Sequence, residues 1–285
     1  MKEAILIRYG EIALKSKPVR KRFEMKLVSN IKNALGKNAK VRLTYGRIMV
    51  DNADKKQISI LKNIFGVVSF SNCIVAESKK ENILETGLYV AKKITKKTFA
   101  VKTNRVGDHS FTSDQINKEL GALIVEKFGN KVNLSNPDAT IFVDIRDRRA
   151  YIYTAVIRGP GGLPVGAAGK LAVLMDSKKS IAAAWTVLKR GCSVVPIFIK
   201  KPNASWIKTI EKWSYGSTVK PKIIESNEQK NIEKAISETS VLGLVLSDDI
   251  SKADSFKHIK KQFSVPVYRP LLCLSEKDVL KSMNN

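Results

Sequence analysis

The chain has 285 residues, room for two or three domains of ordinary size, and its 44% hydrophobic and 27% charged residues suit a globular protein. No apolar run approaches the roughly 18 residues that cross a membrane, and three cysteines (Cys73, Cys192 and Cys273) with no C-x-x-C argue against a disulfide framework or a single-chain zinc or iron–sulfur site. Lys plus Arg number 51 against 26 Asp plus Glu, a net charge of +25, which attracts polyanions and makes nucleic acid the leading partner class. The excess is +11 over residues 1–75, +5 over 76–165 and +9 over 166–285, so the first segment is the most basic for its length.

Residues 2–8 alternate around Ile5 and Ile7 and predict a strand. The stretch is too short, and Glu3 too early, for a secretion signal, so a reducing cytoplasm is the expected setting. Pro18 opens a helix with Val19, Phe23, Leu27, Ile31 and Leu35 on one face, Arg20, Lys21, Arg22 and Lys26 off it, and Gly36 at its end. Lys40–Thr44 and Arg47–Val50 predict a hairpin around Tyr45-Gly46. A short helix at about 54–63 and an apolar strand after Gly66 follow. This βαββαβ order is that of a ferredoxin-like sandwich, assigned to residues 1–75.

A second unit is assigned to residues 76–165. It opens with a lysine-rich helix over 80–97 and a strand at Thr98–Lys102. Thr112-Ser113-Asp114-Gln115 predicts a capping box for a helix whose apolar face is Ile116, Leu120, Leu123 and Phe128. Strands Ala139–Ile145 and Ala150–Ile157 flank Arg146-Asp147-Arg148-Arg149. Gly159-Pro160-Gly161-Gly162-Leu163-Pro164-Val165-Gly166 then breaks all regular structure. Over 166–285, strands at Leu171–Met175, Ser193–Ile199, Lys220–Ile224, Leu242–Leu246 and Val265–Tyr268 alternate with helices such as Lys179–Lys189. That is the pattern of a Rossmann-like, doubly wound parallel sheet.

Several stretches now carry a resemblance. Arg8-Tyr9-Gly10-Glu11-Ile12-Ala13-Leu14-Lys15 is similar to the opening strand and loop of the tRNA 4-thiouridine synthetase (tRNA sulfurtransferase) family. Arg105–Ser113, Asn136-Pro137-Asp138 and Ala150–Thr154 resemble a THUMP domain, an RNA-binding module; Gly161–Gly166 and Val265–Leu271 also fit the family. The resemblance runs in one order along nearly the whole chain. It implies an α/β protein with a ferredoxin-like domain, a THUMP domain and a PP-loop pyrophosphatase domain. The first two would hold the acceptor end of tRNA; the third would adenylate a uridine so that sulfur displaces oxygen.

The chemistry of the residues agrees with RNA. Folded RNA is recognised through phosphates, 2′-hydroxyls and shape, which asks for basic side chains on a rigid concave surface. Lys102, Arg105, Arg146, Arg148, Arg149 and Arg158 fall at strand ends and loops of the second unit, and Lys15, Lys17, Arg20 and Arg22 cluster where the first helix starts. These are the predicted phosphate contacts, with His109 beside them in the THUMP-like loop.

The enzymatic motifs are altered. The family's nucleotide loop, Ser-Gly-Gly-x-Asp-Ser, lets backbone N–H groups approach a phosphate at a helix N-terminus. Here the segment is Leu174-Met175-Asp176-Ser177-Lys178-Lys179-Ser180: one residue short, without either glycine, and with Lys179 where the family has Asp. Leu174, Met175, Asp176, Ser177 and Ser180 are vestigial nucleotide-binding positions on this reading. A second motif, Thr-Gly-Glu-Ser followed by Gly-Gln, reads Leu246-Ser247-Asp248-Asp249 and then Ser251-Lys252, where Asp248 or Asp249 is expected to cap a helix. No catalytic residue and no metal ligand is predicted. Cys192 and Cys273 are expected as apolar fillers, His258 as a surface residue, and sulfur as the product of a separate enzyme.

Two functions follow: a tRNA-binding protein of tRNA thiolation with an inactive adenylation site, or a divergent ATP-dependent tRNA sulfurtransferase, the one reading in which ATP is a cofactor. A small-molecule enzyme on the same fold is a weaker third. Loss of both nucleotide motifs favours the first. A homodimer through the third domain, burying Trp185, Trp206 and Trp213, is also expected.

Overall fold

The computed structural model describes residues 1–36, 38–44, 46–52, 58–94, 97–251 and 263–284. Tyr45, the predicted helix start at 54–57, Lys252 and His258 lie outside them. Tertiary contacts gather the chain into two units. Residues 1–9, 35–58 and 68–158 form the first; 10–34, 59–67 and 159–285 form the second.

In the first unit, β-branched and aromatic runs build β1 (Lys2–Arg8), β2 (Lys40–Thr44), β3 (Arg47–Asp51), β4 (Ser69–Glu77), β5 (Thr98–Val106), β6 (Lys131–Val132), β7 (Ala139–Arg146), β8 (Arg149–Tyr153) and β9 (Ile157–Arg158). Among the described residues these make one nine-stranded sheet, ordered β2-β3-β1-β4-β8-β7-β5-β6, with β9 paired to β4. The alternation of strand side chains sends Ile141, Val143, Ile145 and Ile152 to one face, where α2 (Lys80–Ala91) and α3 (Ser113–Phe128) cover them through Ile83, Val90, Ile116, Leu120 and Ile124. Full burial of each such Ile or Leu contributes about 2 kcal/mol. Gly87 makes the close approach of the two helices possible, since a Cβ there would lie 2.6 Å from Leu120. The capping box forms as predicted, with Thr112 at the N-cap and Gln115 reaching back to the Thr112 N–H. The predicted apolar face of α3 needs correction: Phe128 is 39% exposed and Ile124 takes the buried place. Each i+4 step rotates about 40° around the helix, so Phe128 lies about 120° from Ile116.

The second unit contains α1 (Lys17–Leu35) and a parallel sheet of β10 (Lys170–Leu174), β11 (Ser193–Ile199), β12 (Lys222–Ile224), β13 (Leu244–Val245) and β14 (Val267–Tyr268), ordered β12-β11-β10-β13-β14. It is wound on both faces. Leu171, Val173, Val194, Phe198 and Val245 pack with α4 (Lys179–Lys189), α5 (Ala204–Trp213) and α7 (Glu276–Asn284). Ala172, Leu174, Val195, Ile197 and Leu244 pack with α6 (Gln229–Thr239). The Gly/Pro-rich stretch is held by hydrogen bonds: Gly66 N–H to Gly161 O and Gly161 N–H to Val67 O, both 2.8 Å, and Leu163 N–H to Lys189 O, 2.9 Å. The tryptophans expected at an interface are also corrected. Trp185 and Trp213 are buried, and Phe65 stacks on Trp213 at 5.2 Å and meets the edge of Trp185 at 5.4 Å. That aromatic trio is core, so these two rings are not available to a partner.

Candidate nucleic-acid interface

Three connections of the first unit meet around His109. The β7–β8 hairpin turns on Asp147-Arg148, with Asp147 in the left-handed region at φ 49°. The loop after β5 passes through Gly107 at φ 106°, where a Cβ would crowd His109 and Asp147. His109 Nε2 lies 2.7 Å from the Asp147 carbonyl, the ring tilts against Phe111 at 5.5 Å, and the loop is thereby tied to the hairpin. A cleft of about 600 Å³ opens here, lined by Lys79, Lys80, His109, Gln115 and Arg148 among others. A neighbouring depression of about 570 Å³ shares Lys79 and Arg148 and adds Lys2 and Arg149. The sequence reading missed Lys79 and Lys80. Their signal is the Ser78-Lys79-Lys80 run that leads straight into α2. Lys79 pairs with Glu77 at 3.3 Å, but both side chains are mostly exposed, so the pair is weak and leaves the lysine free to meet a stronger anion.

The sheet face opposite α2 and α3 is concave. On a flat sheet β3 and β7 lie four strands apart, about 19 Å at ordinary strand spacing. Arg47 Nε on β3 nonetheless lies 3.6 Å from Asp144 Oδ2 on β7, so the sheet rolls until its far strands face each other. Arg42 on β2 similarly reaches Tyr151 on β8, while binding Asp51 at 2.6 Å. Strand register puts Lys102, Arg149 and Arg158 on the same face as Arg8, Arg47 and Arg146. Burial raises the Tyr151 and Tyr153 hydroxyls above their ordinary range, which keeps them neutral. Burial also pushes the Cys73 thiol up to about 12.

The predicted contacts therefore sort by environment. Lys102, Arg148 and Arg158 are exposed and Arg105 and Arg149 half-buried, all five at strand ends or turns of the first unit. Arg146 lies at a strand end as predicted, the last residue of β7, but it is buried: it is 7% exposed and donates from Nε to Asp144. It shares the parity of Asp144, two residues earlier, and so points into the concave face. In the second unit Lys15, Lys17 and Arg22 are exposed, whereas Arg20 is engaged by Glu24 at 2.7 Å, one helical turn on.

The two altered motifs converge at the C-terminal ends of β10 and β13, adjacent strands at which the sheet order reverses. Such a switch point is where open α/β sheets bind ligands. Leu174 and Met175 are buried in the strand end, and Asp176 turns outward. Its Oδ1 accepts hydrogen bonds from Ser180 Oγ at 2.9 Å and from Ser247 Oγ at 3.0 Å, and Ser177 Oγ lies 3.2 Å from Ser247 Oγ. The Ser177 N–H is capped by Ser180 Oγ at 3.3 Å. Lys179 Nζ donates to Asp249, and Arg269 Nε donates to Asp248 at 3.0 Å. Lys179 and then Ser251 hold the Asp249 carboxyl down at about 2. Asp249 also accepts from the Ser251 N–H at 3.1 Å; the helix it is expected to cap lies outside the described residues. No group of three or more metal-ligating side chains occurs among the described residues. No helix among them is long and apolar enough to cross a membrane.

Comparison with known proteins now bears on these features. Residues 4–71 match the family model of the ThiI ferredoxin-like domain and residues 81–155 that of the THUMP domain. A probable tRNA sulfurtransferase of Saccharolobus solfataricus is 30% identical over 310 residues, covering 95% of this chain and 82% of that protein. One from Methanobrevibacter smithii is 42% identical over 204 residues, covering 68% of this chain and 53% of that protein, so the match spans about half the relative's length. Among solved structures, PH1313 from Pyrococcus horikoshii aligns with a TM-score of 0.85 at 29% identity, covering 99% of this chain and 98% of that one. A 4-thiouridine synthetase solved in complex with RNA and bound ATP aligns with a TM-score of 0.84 at 25% identity, covering 100% of this chain and 84% of that one. The chain belongs to the tRNA sulfurtransferase family.

Proposed function

We propose that this chain is a tRNA-binding member of its family, acting in tRNA thiolation, whose switch-point cleft no longer performs ATP chemistry. Residues 1–75 and 76–165 are the RNA-holding domains in this reading, and 166–285 a PP-loop-type domain closed on itself. The observation that carries it is the Asp176 carboxylate, held by Ser180 and Ser247 where a phosphate cradle needs bare backbone N–H groups. ATP does not fit the residues present. A phosphate at the start of α4 would meet Asp176, with Asp248 and Asp249 close by; Lys179 and Arg269 are already paired, which leaves the exposed N-cap residue Lys178 as the one cation of the loop outside an ion pair among the described residues. The RNA half of the proposal is supported by the basic concave face and by the solved relative bound to RNA. Adenylation and sulfur delivery then fall to a separate enzyme.

The test uses the purified chain with tRNA and ATP. Binding should weaken linearly in log–log form as salt rises, with a slope near −4 if about five phosphates are contacted. No pyrophosphate should be released above background. Salt-independent affinity breaks the RNA reading; robust tRNA-dependent pyrophosphate release breaks the other half and restores an ATP-dependent enzyme.

A further inference from the structure

We propose that the floor of the concave sheet face is a seat for one phosphate group, formed by Arg8, Arg47 and Arg146 around Asp144 with the hydroxyls of Ser69, Ser71 and Tyr153. This deepens the RNA-binding reading and rests on it for the source of the phosphate.

The argument starts from charge. Among the described residues three guanidiniums gather around Asp144: Arg146 Nε donates to Oδ1, Arg47 Nε stands 3.6 Å from Oδ2, and Arg8 lies within the field of Arg47. The neighbouring carboxylate, Asp51, is engaged by Arg42 at 2.6 Å and faced by Lys2 at 3.9 Å, and so does not compensate the cluster. Among the described residues the guanidiniums thus outnumber the carboxylates in a partly buried place. Arg146 is 6% exposed and Arg47 22% exposed by side chain. Burying a charge without its opposite is costly, so such a cluster persists where an anion completes it.

Hydrogen-bond supply points the same way. Among the described residues one Nη of Arg8 and the Nε of Arg47 are buried with no acceptor in good geometry, the Tyr153 hydroxyl being the group beside Arg8. Arg8 Nη1 donates to Ser71 Oγ at 3.1 Å and reaches Ser69 Oγ at 3.5 Å, which leaves both hydroxyl protons to point elsewhere. The Arg8 guanidinium lies 4.9 Å from the centre of the Tyr153 ring, whose hydroxyl stays neutral. The site is thus rich in donors and poor in acceptors. A tetrahedral oxyanion with several acceptor oxygens matches it, and arginine forks suit phosphate geometry. In tRNA the group is a backbone phosphodiester.

Thermal melting in inorganic phosphate and in chloride at matched ionic strength tests the seat. The intact protein should melt about 3 °C higher in phosphate, and calorimetric titration with inorganic phosphate should give one saturable site per chain. Arg47→Gln should close the gap between the two buffers, whereas Lys40→Gln, on the same face but outside the cluster, should keep it. Equal melting in both buffers, no saturable site, or an unchanged gap in Arg47→Gln overturns the proposal. If Arg47→Gln does not fold, the titration of the unaltered protein decides alone. With tRNA at saturation the gap should vanish; a gap that persists removes the RNA backbone as occupant. If tRNA does not bind at all but the one-site titration stands, the RNA-binding reading falls and the seat survives it.

Discussion

On the concave face of the first unit, Arg47 and Arg146 meet the Asp144 carboxylate, and one buried donor each of Arg8 and Arg47 lacks an acceptor among the described residues. At the switch point of the second unit, Lys179 answers Asp249, Arg269 answers Asp248, and two serine hydroxyls answer Asp176. Both places lie on sheets, and both are polar. The difference is in the balance. A polar site that satisfies itself gains little from a ligand, because each new hydrogen bond displaces one already made. A site with unmatched charge and unused donors gains the full interaction. Net charge alone does not separate the two cases; the pairing of each group does.

The sharpest way to break this comparison is to remove cations from the open side. Replacing Arg105, Arg148 and Arg149 together by Ala should lower tRNA affinity by about a hundredfold at low salt and reduce the salt slope by about 2 to 3, since each lost phosphate contact removes roughly 0.9 from it. The fold should survive, because none of the three lies in the core. Circular dichroism and a salt series on the same preparation measure both. Unchanged slope with unchanged fold would move the interface away from the hairpin and loop.

Much of this was legible in the sequence, and the losses have physical causes. The α4 helix runs over Lys179–Lys189 as its apolar spacing predicts, and β11 over Ser193–Ile199. The capping box at Thr112 formed because its two partners are local. The burial of Arg146 was not read because a hairpin of four polar residues hides where strand parity ends. The alternation Val143-Asp144-Ile145-Arg146 carried the signal, with Asp144 and Arg146 on the face opposite the aliphatics. The pairing of Arg47 with Asp144 had no such signal, since only the roll of the sheet brings residues 97 positions apart together. The residues that stand at Leu174–Ser180 and at Leu246–Asp249 were plain from the sequence. Their mutual closure was not: Lys179 and Asp249 are 70 residues apart and meet because β10 and β13 are neighbours.

Cysteine reactivity offers a probe of moderate effect on the open face. Cys73 lies on β4 beneath the basic cluster, 2% exposed, with its thiol pushed up to about 12 by burial. Only the thiolate reacts with an alkylating reagent, so at pH 8 this residue should be silent in the native protein. Cys273 is exposed and should label first, and half-buried Cys192, also raised by burial, should follow slowly. Mass spectrometry of a timed iodoacetamide reaction reads the order. Early labelling of Cys73 would mean that the concave face opens far more readily than its packing implies.

The smallest expected effect lies on the closed side, in the pair of Lys179 and Asp249. The Asp249 carboxyl is depressed to about 2, mainly by its hydrogen bond from Lys179 and then by Ser251. A carboxyl whose folded value is lower than its unfolded value adds stability that is complete above the unfolded value, about 3.9, and is lost as pH falls through the folded one. Asp249→Asn should therefore lower the melting temperature at pH 7 and make no difference near pH 2, with the loss running between about 4 and 2. The pair is solvent-accessible, so screening keeps the effect small, about 1–2 °C in low salt and less in 1 M salt. The same variant should leave tRNA affinity unchanged, since the lock is not part of the RNA surface. A melting difference that grows toward acid would reverse the sign of this coupling and show that Asp249 is strained rather than satisfied by its neighbours. A parallel gain of ATP binding in Asp249→Asn would show that the cleft is only latched, and the contrast between an open face and a closed cleft would then be one of occupancy rather than of chemistry.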